Sequence, residues 1–184
     1  MQVMILGLVL WTAAHLFRRV LPGLRARLGE GPGKMLVAVL SLAAVFLMVI
    51  GYRRAEIDPV YTPMAGIGHL NNLLMLIALF LFGVSHSKGR VKAMIRHPML
   101  WSVVIWAVAH LLVNGDLASI ILFGSFLAWA VWDRIAAKRR GDPLPVAGSS
   151  LIPDVLSVVI GLALYVVFVL WAHQWLFGVA PVVM

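Results

Sequence analysis

Apolar residues fall into six long runs, at residues 3–17, 35–51, 67–85, 99–113, 117–132 and 152–177, separated by short polar stretches. A helix that crosses a bilayer needs about 20 mostly apolar residues, with about 17 as the lower limit. The first, fourth and fifth runs are short by that measure and draw on flanking residues at the interface. The stretches between runs are rich in turn formers: Pro22-Gly23, Gly31-Pro32-Gly33, Pro59 through Gly68, and Gly141-Asp142-Pro143. None is long enough to fold alone. The pattern predicts an all-α chain, a polytopic membrane helical bundle of about six transmembrane helices forming one domain over residues 1–184.

Composition agrees. Hydrophobic residues make up 62% of the chain and charged residues only 12%, against about 25% charged in an ordinary soluble domain. The net charge of +8 would raise the question of nucleic acid in a soluble protein, but the positions of the charges answer it differently. Thirteen of the 15 Lys and Arg residues fall in the first, third and fifth connections, and the other two are Arg53 and Arg54. The positive-inside rule puts the odd connections in the cytoplasm and both termini on the periplasmic side. No nucleic acid is needed to explain the charge; the expected partner is the lipid bilayer. The cations Arg18, Arg19, Arg25 and Arg27 follow the first run instead of preceding it, the reverse of a cleavable secretory signal, so that run reads as a retained helix. With no cysteine in the chain, disulfides, thiolate metal sites and CxxCH haem attachment are excluded.

Polar groups inside a membrane are expensive and tend to be functional, which directs attention to the six histidines. His15 lies near the inner end of the first run, with Trp11 one turn behind. His69 opens the third run, His86 and His97 bracket the third connection, and His173 lies near the outer end of the sixth. His110 stands inside the fourth run, with Trp106 before it and Asn114 after it on one helical face. Most lone histidines near helix ends are packing or interfacial residues, and His86 and His173 are read that way. Neutral imidazole is also the usual axial ligand of b-type haem. No HxxxH or HExxH pair occurs, against a zinc hydrolase. Thirteen residues separate His97 from His110, about 220° around a helix, so the two do not face one site.

Two further clusters have specific geometry. Asn114-Gly115-Asp116 reads as a tight turn that caps the next helix. In Arg96-His97-Pro98 the proline suits a first helical turn and places Arg96 and His97 at a helix mouth able to hold an anionic group. The equally simple reading is a basic helix start. Small-residue pairs, Gly124 with Ala128 and Ser157 with Gly161, permit close helix contact.

The stretch RHPMLWSVVIWAVAHLLVNGD (96–116), followed by LFGSFLAWAVWDR (122–134), with His15 and GIGHL (66–70), resembles the NnrU family. The likeness covers about residues 3–140; the sixth run, 152–177, carries no motif of it. The resemblance implies a bacterial inner-membrane protein. Bacterial members are linked by name to nitrite and nitric oxide metabolism in denitrification, and a plant relative, 15-cis-zeta-carotene isomerase, is a haem b protein. Carried over residue by residue, the isomerase's two haem-ligating histidines resemble His15 and His110. Where the isomerase has a cysteine for its redox-linked ligand switch, this chain has Ala107, so that switch is not implied. In the six-helix topology the depths of His15 and His110 differ by on the order of 15 Å, whereas His69 matches His110 in depth and is the substitute ligand.

The function this implies is haem b binding with a redox or nitric-oxide-related role, or an isomerase-like activity, on a small apolar or gaseous ligand. Arg96 and His97 join the cofactor-binding candidates, with Trp106, Asn114 and Asp116 as accessory residues. Two other classes compete. A non-enzymatic membrane component or assembly factor is compatible with every feature above. RHP before an apolar helix also resembles membrane methyltransferases that use S-adenosylmethionine, but their acidic pair after the next helix is here Trp132-Asp133-Arg134, a single acid followed by a base. A proton or ion transporter would need carboxylates within the spans, and the acids lie in connections and at helix ends.

Overall fold

The computed structural model describes residues 1–143, 146, 148 and 150–181, and of Arg18 and Arg19 only the backbone; the side chains of these two expected anchor residues lie outside the description. Each apolar run becomes a helix. In chain order the elements are α1 (Gln2–Val20), α2 (Pro22–Leu28), α3 (Glu30–Arg53), α4 (Gly68–His86), α5 (Arg90–Met94), α6 (Pro98–Val113), α7 (Leu117–Arg140), α8 (Ile152–Val167), a π-helical turn (Phe168–Ala172) and α9 (His173–Phe177). Among the described residues the only β pairing is a single bridge between Pro59 and Asp116.

Four helices are long and apolar enough to cross a membrane: α3, α4, α7 and the continuous stretch Ile152–Phe177. The start of α1 and α2, bent by 77° between them, count as a fifth if the pair forms one broken span instead of a re-entrant loop. The sixth expected span, α6, has 16 residues. At 1.5 Å per residue it is about 24 Å long, short of a hydrocarbon core of about 30 Å. The chain is thus an all-helical membrane protein with four or five full-length apolar helices and one shorter one.

Two connections are more helical than their composition suggests. Gly31-Pro32-Gly33 is not a turn but the first turn of α3. Proline is tolerated there because the first N–H groups of a helix have no intrahelical partner, and the chain reverses one residue earlier, at Gly29 with φ 75°. Likewise α2 starts on Pro22.

The chain divides into two compact units, residues 1–57 and 58–184. In the first, α1 packs on α3 through glycines. A Cβ on Gly51 would stand 2.2 Å from the Met4 nitrogen, and one on Gly7 would stand 2.8 Å from the Ala44 carbonyl oxygen. The backbones approach closely because both positions lack a side chain. Met4, Ala14, Ala44 and Met48 are buried along the seam.

In the second unit α4 packs against both α6 and α8, and α6 packs against α7. Buried Ser102 of α6 donates to the Ala78 carbonyl of α4 at 2.7 Å. Of the two small-residue pairs, Ser157 and Gly161 do sit at a close crossing, against Gly83 and Phe80 of α4. The other does not: Gly124 faces open space and Ala128 is exposed. At one end of the unit, Val60 and Tyr61 donate their N–H groups to the Gly115 carbonyl and Leu117 donates to that of Asp58. The Tyr61 hydroxyl donates to the carbonyls of Leu111 and Asn114. Residues 58–61 are thereby fastened over the α6–α7 turn. At the other end, buried Asp154 in the first turn of α8 accepts from the backbone N–H groups of Arg90 and Val91, capping α5 from across the unit.

Candidate functional site

The second unit gathers aromatic rings around His110. An imidazole four residues after a helical carbonyl can lay its Nδ1 against that carbonyl, and His110 does so: Nδ1 lies 2.9 Å from the Trp106 oxygen. A carbonyl can only accept, so Nδ1 carries the proton and Nε2 keeps the lone pair. Metal-ligating histidines are commonly held in this tautomer by the same kind of outer hydrogen bond. The ring stacks on Phe123 of α7 with centroids 4.4 Å apart and meets Trp106 at 5.2 Å. Trp106 also packs edge-on against Phe123 and Phe126. Asn114 ends α6, donating its side-chain amide to the His110 carbonyl at 2.9 Å.

The remaining side of the cluster is His173. Its ring lies nearly parallel to that of His110, at 18° and 6.4 Å between centroids. Its Nδ1 faces the Val179 carbonyl at 2.8 Å, which fixes the same tautomer. His173 is thus a hydrogen-bonded packing residue, and the ring it packs beside is that of His110. It directly follows the π-helical turn Phe168–Ala172. Such a turn adds one residue, which rotates everything downstream by about 100° relative to an unbroken α-helix. A straight-helix projection of the sixth run thus puts His173 on the wrong face. The available signal was depth: His110 and His173 both lie near the same expected outer end of their runs.

His15, in the first unit, repeats the local arrangement. Its Nδ1 lies 2.8 Å from the Trp11 carbonyl and its ring stacks on Trp11 at 3.9 Å. The histidine-to-carbonyl bond alone is not distinctive, since exposed His86 makes it to Phe82 at 3.0 Å; the enclosing aromatic cluster marks His110. His69 is exposed in the first turn of α4, outside that cluster. Asp116 is the N-cap of α7, accepting from the N–H and hydroxyl of Ser119 at 2.9 and 2.6 Å.

Arg96 and His97 stand at the opposite end of α6, about 20 Å along its axis from His110. His97 is the N-cap of α6 in the left-handed region, φ 58° and ψ 58°, with Pro98 opening the helix. The proline bars its predecessor from right-handed helical geometry, and His97 is the one non-glycine residue at positive φ among the described residues. The two line a hollow of about 390 Å³ with Arg134, Ile135 and Lys138 of α7.

The family model described as NnrU protein matches residues 3–181. The chain belongs to the NnrU family. The match reaches beyond residue 140 and takes in the sixth helical run, so His173 and the π-helical turn lie within the family region. No curated protein and no solved structure matches the chain.

Among the described residues, no three of the side chains His, Asp and Glu converge as a metal cage would require. A porphyrin supplies four nitrogens of its own and asks the protein for one or two imidazoles, a demand that His110 meets in tautomer and in apolar surroundings.

Proposed function

We propose that this NnrU family member is a haem b protein of the bacterial inner membrane in which His110 provides an axial imidazole. The observation that carries the reading is the fixed tautomer of His110, Nδ1 on the Trp106 carbonyl and Nε2 as the basic nitrogen, inside a ring of aromatic side chains. Within the same unit His173 is the candidate second ligand, by its position beside His110; His15, to which the likeness to the isomerase points, has the same local hydrogen bond within the first unit. Bound haem would supply one-electron redox chemistry and an iron able to take a small gas such as nitric oxide. The chain's own residues do the rest. The Trp106 carbonyl orients the imidazole through the hydrogen bond. Phe123 covers one face of the ring, and Phe126 packs behind Trp106. A redox or nitric-oxide-linked role follows more directly than carotenoid isomerisation, because Ala107, which is fully buried, occupies the place of the isomerase cysteine.

The test is the visible spectrum of the full chain purified in detergent after expression with ample haem supply. A Soret band that shifts on dithionite reduction is expected, lost in His110→Ala and retained in His86→Ala. Comparing His15→Ala with His173→Ala identifies the second ligand. A colourless wild-type protein, or a band indifferent to His110→Ala, overturns the reading and leaves a non-enzymatic membrane component.

A further inference from the structure

The hollow at the mouth of α6 is independent of the haem reading. Three fixed cations, Arg96, Arg134 and Lys138, open onto it, with His97 at its head. The Arg134 guanidinium lies over the Trp101 ring, 3.6 Å from its centroid, a cation–π contact that orients it and keeps its charge. The nearby acid, Asp142, is taken up by Arg140 at 2.9 Å. That bond pulls the Asp142 carboxyl below its usual range, and the charges of His97 and Arg96 pull in the same direction. His97 Nε2 is buried with no hydrogen-bond partner among the described residues. Three cations around one hollow favour an anionic occupant.

The walls say what kind. Ile135, itself a lining residue, and Trp132 one turn away are exposed at 46% and 68% on α7, one of the membrane-length helices. A purely ionic site would not need this apolar border. The occupant joins a phosphate to hydrocarbon. Basic hollows between spanning helices on the cytoplasmic side are favourable places for anionic headgroups, and the charge pattern puts this end of α6 and α7 on that side.

We propose that Arg96, His97, Arg134 and Lys138 form a binding site for the phosphate of an anionic phospholipid, with its acyl chains running along Ile135 and Trp132. The phosphate sits before the N-terminal turn of α6, where the helix dipole adds to the cations.

The experiment is native mass spectrometry of the full chain in detergent titrated with phosphatidylglycerol or with phosphatidylcholine. Wild type is expected to retain phosphatidylglycerol selectively. Arg134→Gln with Lys138→Gln is expected to weaken that binding by about 25-fold, from about fivefold per cation near a headgroup. The charge-matched control, Arg27→Gln with Lys34→Gln in the first unit, is expected to leave it within about twofold. Millimolar inorganic phosphate is expected to leave the lipid bound. Equal binding of the two lipids by wild type overturns the proposal without reference to any variant. So does equal loss in the control, and so does full displacement by inorganic phosphate, which would mark a site for soluble anions.

Discussion

Asp154 carries the most informative single perturbation outside the histidine cluster. The residue is 8% exposed, and its carboxylate accepts from the N–H of Arg90 at 2.8 Å and of Val91 at 3.2 Å. These are the orphan donors of a five-residue helix, which is too short to hold itself. A hydrogen bond to a charged group contributes about 1.5–3 kcal/mol, and an abandoned buried donor costs a similar amount. The Val91 bond is long and both are only partly buried, so the lower end applies, and Asp154→Ala should cost about 2–3 kcal/mol. In a chain of this size that is about 5–10 °C in Tm. Asp154→Asn keeps one acceptor oxygen but turns its NH₂ toward the second donor, and should lose about half as much. There is no room for compensation from the other side, because a Cβ on Gly89 would lie 1.9 Å from the Asp154 carboxylate oxygen. The assay is thermal unfolding in micelles, with limited proteolysis of residues 87–97 alongside. Uncapping should speed cleavage there before global unfolding. It should also weaken lipid binding at Arg96 and His97, which follow α5 directly. Melting of Asp154→Ala within about 1 °C of wild type, with unchanged cleavage, would refute the capping argument.

Three smaller tests address other joints. Tyr61 is held above the ordinary tyrosine pKa by desolvation and by the negative charge of Asp116. The folded state thus favours the phenol; stability from Tyr61 is fully present below about pH 10 and is lost as pH rises beyond it. Tyr61→Phe should cost about 1 kcal/mol at pH 8, and melts taken from pH 8 to 11 should show the gap to wild type narrowing at the alkaline end; a gap constant with pH contradicts this. Gly51→Ala inserts a methyl 2.2 Å from the Met4 nitrogen and should destabilise the α1–α3 pair by about 1–3 kcal/mol, seen as a lower Tm, while Gly124→Ala, which meets nothing, should be neutral. Ser102→Ala removes the buried bond to Ala78 and should cost about 0.6–1.7 kcal/mol by denaturation in micelles.

The helices were legible because a bilayer imposes a length and an apolarity that no soluble segment mimics over 15 or more residues. The starts of α6 and α7 were legible for a different reason: Pro98 and Asp116 are local signals whose chemistry acts within one turn. What was hidden involves partners distant in sequence. Gly7 and Gly51 are 44 positions apart and look unremarkable until their helices meet. Asp154 reads as a first-turn acid of its own helix, not as the cap of another. The anion site was half visible, since Arg96-His97-Pro98 marks a helix mouth, but Arg134 and Lys138 looked like a plain basic anchor because their register against α6 is set by packing. His110 stood out from its neighbours, and His173 did not.

The π-helical turn explains that last omission and can be tested by removing it. Deleting Leu170 takes one residue from Phe168–Ala172 and lets an ordinary α-helix run from Ile152 onward. His173 then turns by about 100° away from His110, while the five helical residues after the turn carry little other packing in the second unit. The loss of backbone irregularity favours the variant and the loss of the His110 contact disfavours it, so its Tm should stay within about 3 °C of wild type, a shift of about 1 kcal/mol. Histidine-selective nitrogen NMR in micelles reads the consequence directly. In wild type, His110 and His173 should both show the proton on Nδ1, and His110 should feel the ring of its neighbour at 6.4 Å. In the deletion variant His110 should keep its tautomer, because Trp106 lies in the same helix, but its ring signals should move. Unmoved signals would mean that the π-helical turn does not set the position of His173, and the histidine pair would lose its claim to be built by the fold.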